Sequence, residues 1–118
     1  MTHTILVVDD ELALTEVLAN ILEYQGYEVL TSTDGQEALD VVKKNKIDLI
    51  VSDYMMPRLN GIALCRCIRA DQRTSRMPMI MMSALPNDLL DLPVYAILKK
   101  PFDMDELVKS VAMALENI

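Results

Sequence analysis

A chain of 118 residues, 52% hydrophobic and 25% charged, has the size and apolar content of one globular domain, 1–118, that needs no disulfides to build its core. Its net charge of −7 argues against direct binding to nucleic acid or anionic membranes and leaves room for a protein partner with a basic face. No apolar run approaches the ~20 residues of a spanning helix and no basic-then-apolar leader opens the chain, so a soluble cytoplasmic protein is expected.

Strand and helix patterns alternate five times. Residues 4–8 form the first strand and run into Asp9 and Asp10. Leu14, Val17, Leu18, Ile21 and Leu22 then recur at helical spacing as one apolar stripe, closed by Gly26 as a C-terminal cap. A weaker strand over 27–31 precedes Asp34-Gly35-Gln36-Glu37, a capping-box pattern that opens a helix to about Lys44. Residues 47–52 are almost wholly apolar, as in a strand covered on both faces, and lead to Asp53. Pro57 locks the following turn, and Asn60 caps a third helix carrying Leu64, Cys65 and Ile68. Cys65 and Cys67 point about 200° apart on that helix, cannot pair, and read as small apolar residues of a reduced protein. The fourth strand, 78–82, places Met79, Met81 and Met82 in the core and ends at Ser83. Pro86 and Pro93 bracket only a short fourth helix, about 87–92. A fifth strand over 94–98 leads to Lys99-Lys100-Pro101. The last helix opens at Asp103, with Glu106 three residues on, and buries Leu107, Val108, Val111, Ala112 and Leu115.

This alternation implies a parallel sheet with right-handed crossovers. Five units are too few for a closed eight-stranded barrel, which leaves a doubly wound, three-layer α/β/α sandwich with its ligand site at the strand C-termini. The switch point between the first and third strands brings Asp9, Asp10 and Asp53 together, with Ser83 and Lys100 at neighbouring strand ends. Converging carboxylates repel unless one is protonated or a hard cation sits among them. Oxygen donors at an exposed crevice suit Mg²⁺, with Mn²⁺ as the alternative. Asp10 and Asp53 are the expected direct ligands, Asp9 a further ligand or one acting through water, and the Met55 backbone carbonyl completes the set. Taken alone, Asp9 and Asp10 also read as surface acids capping the first helix; Asp53, Ser83 and Lys100 favour the metal. Metal, carboxylate, hydroxyl and ammonium together form a layout for phosphoryl transfer. Asp53 would be the nucleophile forming an acyl phosphate, the metal and Lys100 would neutralise the phosphoryl oxygens, and Ser83 would donate a hydrogen bond.

The residues that carry this site resemble the receiver domains of two-component response regulators. The match runs through Val7-Val8-Asp9-Asp10-Glu11, Asp53-Tyr54-Met55-Met56-Pro57-Arg58-Leu59-Asn60-Gly61, Ser83-Ala84 and Lys99-Lys100-Pro101-Phe102, in order and near the family's spacing. The resemblance implies a five-stranded flavodoxin-like sheet of order 2-1-3-4-5. It makes Asp53 the phosphoacceptor, charged from a phosphohistidine on a sensor histidine kinase or histidine phosphotransferase. It also implies that Lys100, not Lys99, is the active lysine, aimed inward by a cis Lys100–Pro101 bond, and that output is altered affinity for a downstream protein target rather than enzyme activity.

Two departures bear on output. The family's aromatic residue three positions before the lysine is Ile97 here; Tyr95, two residues earlier, is either a substitute or an ordinary strand tyrosine. The interval from Ser83 to Lys100 is about five residues short, roughly one and a half helical turns, so a shortened fourth helix and an unusual dimer geometry on that face are expected. Met55 and Met56 flank the site, where a large apolar side chain would restrict the attacking water. An aspartyl-nucleophile, magnesium-dependent phosphatase would need an acid where Met55 stands, and a flavin-binding protein of this fold would need a glycine- and hydroxyl-rich loop where Asp9-Asp10-Glu11 stands. An unphosphorylated interaction scaffold stays open because of Ile97 and the short helix. The chain leaves no room for a DNA-binding domain after Ile118, so a stand-alone receiver, or one cut from a longer chain, is expected.

Overall fold

Every interior strand of this protein is apolar at both odd and even positions, and the fold uses both. The computed structural model describes residues 2–56, 58–84 and 91–116. Strands β1 (Thr4–Val8), β2 (Glu28–Ser32), β3 (Leu49–Asp53), β4 (Met79–Ser83) and β5 (Ala96–Lys99) make one parallel sheet of order β2-β1-β3-β4-β5. The helices are α1 (Leu12–Tyr24), α2 (Gly35–Lys44), α3 (Gly61–Ala70) and α4 (Met104–Glu116). Because successive side chains leave a strand on opposite faces, Ile5, Val7, Leu49, Val51, Ile80 and Met82 pack on one side with α1 and α4. Leu6, Val8, Ile50, Met79 and Met81 pack on the other with α2 and α3. Each such side chain, when fully buried, is worth about 1.5–3 kcal/mol.

Local signals set the helix ends. Asp34 Oδ1 accepts from Glu37 N (2.8 Å) while Glu37 Oε1 accepts from Thr33 N (2.9 Å), closing the expected capping box. Asn60 Oδ1 accepts from Ala63 N (2.9 Å) and Asp103 Oδ1 from Glu106 N (2.9 Å). Gly26 follows α1 with φ +99°, the left-handed conformation that glycine adopts without a Cβ penalty. Among the described residues no helix is long and apolar enough to cross a membrane.

Several expectations need correction. Ladder pairing, not apolarity, sets the strand ends, so β2, β3 and β4 each close one residue later than the apolar runs, on Ser32, Asp53 and Ser83. β5 begins at Ala96 because the Val94 N–H turns back to the Leu92 carbonyl (2.8 Å). Tyr95 therefore precedes the strand; its N–H bonds the carbonyl of Met79 (2.8 Å), at the end of the sheet opposite Asp53, so it does not stand in for the missing aromatic. Ile97 is half-buried against the core on the α2 and α3 side. On α1, Val17 is 47% exposed, and Thr15 takes an inward position with its hydroxyl on the carbonyls of Asp9 (3.2 Å) and Glu11 (3.1 Å). Val108 and Ala112 are only half-buried, whereas Ala114 is buried. Cys65 is buried and Cys67 exposed, both as free thiols. Of the short helix expected over 87–92, residues 87–90 lie outside the described residues; Asp91 and Leu92 form a turn and a bend.

Candidate functional site

Four strand ends converge because parallel register leaves them level. Asp9 follows β1, its N–H bonded to the Ser32 carbonyl (3.1 Å), and Asp53 closes β3. Ser83 closes β4 opposite Lys99, and Lys100 N donates to the Ser83 carbonyl (2.9 Å). Lys99 is exposed, whereas Lys100 turns inward. The Lys100–Pro101 bond is cis.

Asp9, Asp10 and Asp53 each bring a carboxylate oxygen within 4.8 Å of the others, Asp9 and Asp53 buried and Asp10 exposed. Lys100 Nζ lies 2.9 Å from Asp53 Oδ1 and 3.6 Å from Asp9 Oδ2. Asp9 Oδ1 accepts from Glu11 N (2.9 Å), but its Oδ2 is buried without a hydrogen-bond partner. Burial pushes the Asp9 carboxyl up, with Asp53 and Asp10 adding to the rise and the Glu11 N–H and Lys100 opposing it. Burial alone would pull Lys100 down, yet the hydrogen bond and charge of Asp53, followed by those of Asp9, leave its ammonium above the ordinary value. An orphaned carboxylate oxygen facing two further acids is the donor set a hard divalent cation takes, so the residues fit Mg²⁺.

Asp53, Tyr54, Met55, Ser83, Ala84 and Lys100 enclose a cavity of about 310 Å³ beside the cluster. Ser83 is buried there, and the Met55 side chain is 68% exposed at the rim. Met56, expected to flank the site, instead turns into the core on the α2 and α3 side.

The loop after Asp53 is held in ways the sequence does not advertise. Gly61 N donates to the Tyr54 carbonyl (2.9 Å), and a Cβ at Gly61 would sit 2.7 Å from the Asp53 carbonyl oxygen. Gly35 N donates to the Leu59 carbonyl (3.1 Å). Arg58, at φ +64°, places Nε 2.9 Å from Asp34 Oδ2, tying the loop to the start of α2. Sequence reasoning marks Asp34 only as a cap, and the one signal for the pair is an unpaired cation following Pro57.

Fold and site together define a doubly wound, flavodoxin-like α/β protein with an acidic cleft at its topological switch point. The response regulator receiver domain model matches residues 5–112, and the chain belongs to that family, the receiver module of two-component signalling proteins. It is 38% identical over 122 residues to the alkaline phosphatase synthesis transcriptional regulatory protein PhoP of Bacillus subtilis (strain 168), covering 99% of this chain and 50% of that protein. The chain thus spans about half the length of the curated relatives it matches. The receiver domain of a signal transduction histidine kinase from Syntrophus aciditrophicus superposes with a TM-score of 0.94 at 30% identity, covering 99% of this chain and 92% of that one. The receiver domain of a sensor histidine kinase from Pseudomonas aeruginosa PAO1, with a magnesium ion coordinated in its active-site cleft, superposes at 0.89 and 29% identity, covering 98% of this chain and 99% of that one.

Proposed function

We propose that this chain is a single receiver unit that works as a phosphorylation-dependent switch with Asp53 as phosphoacceptor. Asp53 Oδ attacks the phosphorus of a phosphohistidine, or of a small acyl phosphate; the P–N or P–O bond breaks, an acyl phosphate forms, and the donor leaves with the bond's electron pair. Lys100, already 2.9 Å from Asp53 Oδ1, neutralises charge on the phosphoryl oxygens, and the Ser83 hydroxyl, buried in the same cavity, donates to one of them. Asp9, Asp10, Asp53 and the Met55 carbonyl are the residues to hold Mg²⁺, as the magnesium-bound relative suggests; when bound it supplies electrostatic stabilisation of the transferring group. A sensor histidine kinase or histidine phosphotransferase is the donor, a cytoplasmic protein target reads the outcome, and no metabolic turnover is involved.

The observation that carries this reading is the convergence of three carboxylates and one ammonium at a switch-point cavity, with an unsatisfied carboxylate oxygen among them. Incubation with acetyl phosphate and Mg²⁺, followed by intact-mass measurement, tests it. One added phosphoryl group is expected in the wild type and none in Asp53→Asn or in the presence of EDTA. No increment in the wild type would leave the chain as an unphosphorylated scaffold, and an undiminished increment in the variant would move the acceptor elsewhere.

A further inference from the structure

The end of the sheet opposite Asp53 carries the reverse charge. Where β3 and β4 begin, two confluent cavities of about 590 and 430 Å³ share Ile47, Arg73 and Met77. Lys43, Lys44 and Lys46 line the smaller cavity, Arg76 the larger, and Arg73 both. All five cationic residues are exposed, and none has an ion-pair partner among the described residues, whose ion pairs are Arg58 with Asp34 and Lys100 with Asp9 and Asp53. A chain of net charge −7 therefore gathers five of its eleven Lys and Arg residues, unneutralised, on one concave surface.

Helix polarity accounts for part of this. Lys43 and Lys44 stand in the last turn of α2, where cations complement the carbonyl end of the helix. Arg69, in the last turn of α3, is a structural clamp, donating to the carbonyls of Pro93 (2.9 Å), Ser75 (3.3 Å) and Met77 (2.7 Å). Arg73 spends one donor on the Val42 carbonyl (3.1 Å). Lys46 and Arg76 stand in the loops beyond both helices and have no hydrogen-bond or ion-pair partner among the described residues, so the fold itself makes no use of their charge. One carboxylate, Asp48, lines the larger cavity, and Asp71 stands nearby. Asp48 accepts from Thr4 N (2.8 Å) and Asp71 from Arg73 N (2.9 Å), and neither forms an ion pair.

Between the cations the lining mixes polar Asn45, Asp48, Gln72, Thr74 and Ser75 with apolar Ile47, Met77 and Pro78, of which Met77 is the most exposed. Among the described residues no aromatic side chain lines either cavity, so single-stranded nucleic acid would find no ring to stack on. Five unpaired cations around a half-exposed Met77 match carboxylates interleaved with aliphatic side chains. We propose that this concavity docks an acidic, leucine-bearing segment of a partner protein. Because it lies at the opposite end of the sheet from Asp53, a docked partner leaves that carboxylate accessible, and tethering there raises the local concentration of any group that reacts with it. The docking site does not depend on Asp53 being phosphorylated.

Fluorescence anisotropy with a fluorescein-labelled synthetic peptide of alternating glutamate and leucine tests the proposal on the whole chain. Saturable binding that weakens with added salt is expected. Reversing two exposed charges, Lys46→Glu with Arg76→Glu, should weaken it about tenfold. The neutral pair Lys46→Gln with Arg76→Gln should fall between that variant and the wild type, which separates loss of charge from loss of fold, and far-UV circular dichroism should be unchanged in both. Absence of saturable binding, wild-type affinity in the charge-reversed variant, or tighter binding of an oligothymidylate of equal charge would each overturn it.

Discussion

Replacing Lys100 by Met removes the one cation that pairs with the acidic cleft among the described residues while keeping most of its aliphatic stem. At an effective dielectric near 20, the 2.9 Å approach to Asp53 is worth about 6 kcal/mol before desolvation and the 3.6 Å approach to Asp9 about 5 kcal/mol. Carboxylate oxygens within 4.8 Å of one another repel by at least about 3 kcal/mol per pair on the same scale. Lys100 therefore offsets much of the mutual repulsion, and without it the cluster is purely repulsive. Most of the gross attraction is offset by desolvation, and the Lys100 side chain is 29% exposed, so the net loss of stability should be about 1.5–3 kcal/mol. Urea unfolding in EDTA, followed by circular dichroism, should show the Lys100→Met midpoint about 1 M lower with an unchanged slope. Saturating Mg²⁺ should then restore more stability to the variant than it adds to the wild type, because a divalent cation compensates the same carboxylates. An unchanged or raised midpoint in EDTA would refute the electrostatic account of this cleft.

Three other outcomes follow from the geometry. Gly35→Ala should cost about 1–3 kcal/mol in thermal unfolding, because its Cβ would overlap the Leu59 carbonyl oxygen and backbone must move. The Glu37 N–H, and after it the Arg58 guanidinium, hold the Asp34 carboxyl below the ordinary 3.8 against the opposing effect of burial. Its folded-state value is thus depressed, so its stabilisation is present above the unfolded-state value and fades as pH falls through the folded one. Asp34→Asn should lower stability at neutral pH and flatten the acid limb of a melting-temperature profile against pH. A thiol reagent should titrate Cys67 alone in the native protein and both cysteines in urea, since Cys65 is buried and burial raises its thiol; two fast-reacting thiols in the native state would contradict that packing.

Much of the candidate site is legible in the sequence because its residues follow apolar strands, and parallel pairing leaves strand ends level. Asp9, Asp53, Ser83 and Lys100 needed only the strand order to meet. What the sequence concealed was long-range or a matter of degree. Arg58 finds Asp34 across 24 residues, and no periodicity encodes such a pair. Val17 fits an apolar stripe yet stays exposed, since a spacing rule does not state how wide a face the sheet covers. Tyr95 looked like a strand residue on composition, but its neighbours Pro93 and Val94 impose a turn that apolarity does not reveal.

The division of odd and even strand side chains means that this small molecule has two separate hydrophobic interiors with only backbone between them. A void opened beneath α1 cannot be refilled by a side chain beneath α3. Substitutions on the two sides can therefore accumulate on separate accounts, free to drift apart, while every strand residue answers to one side alone.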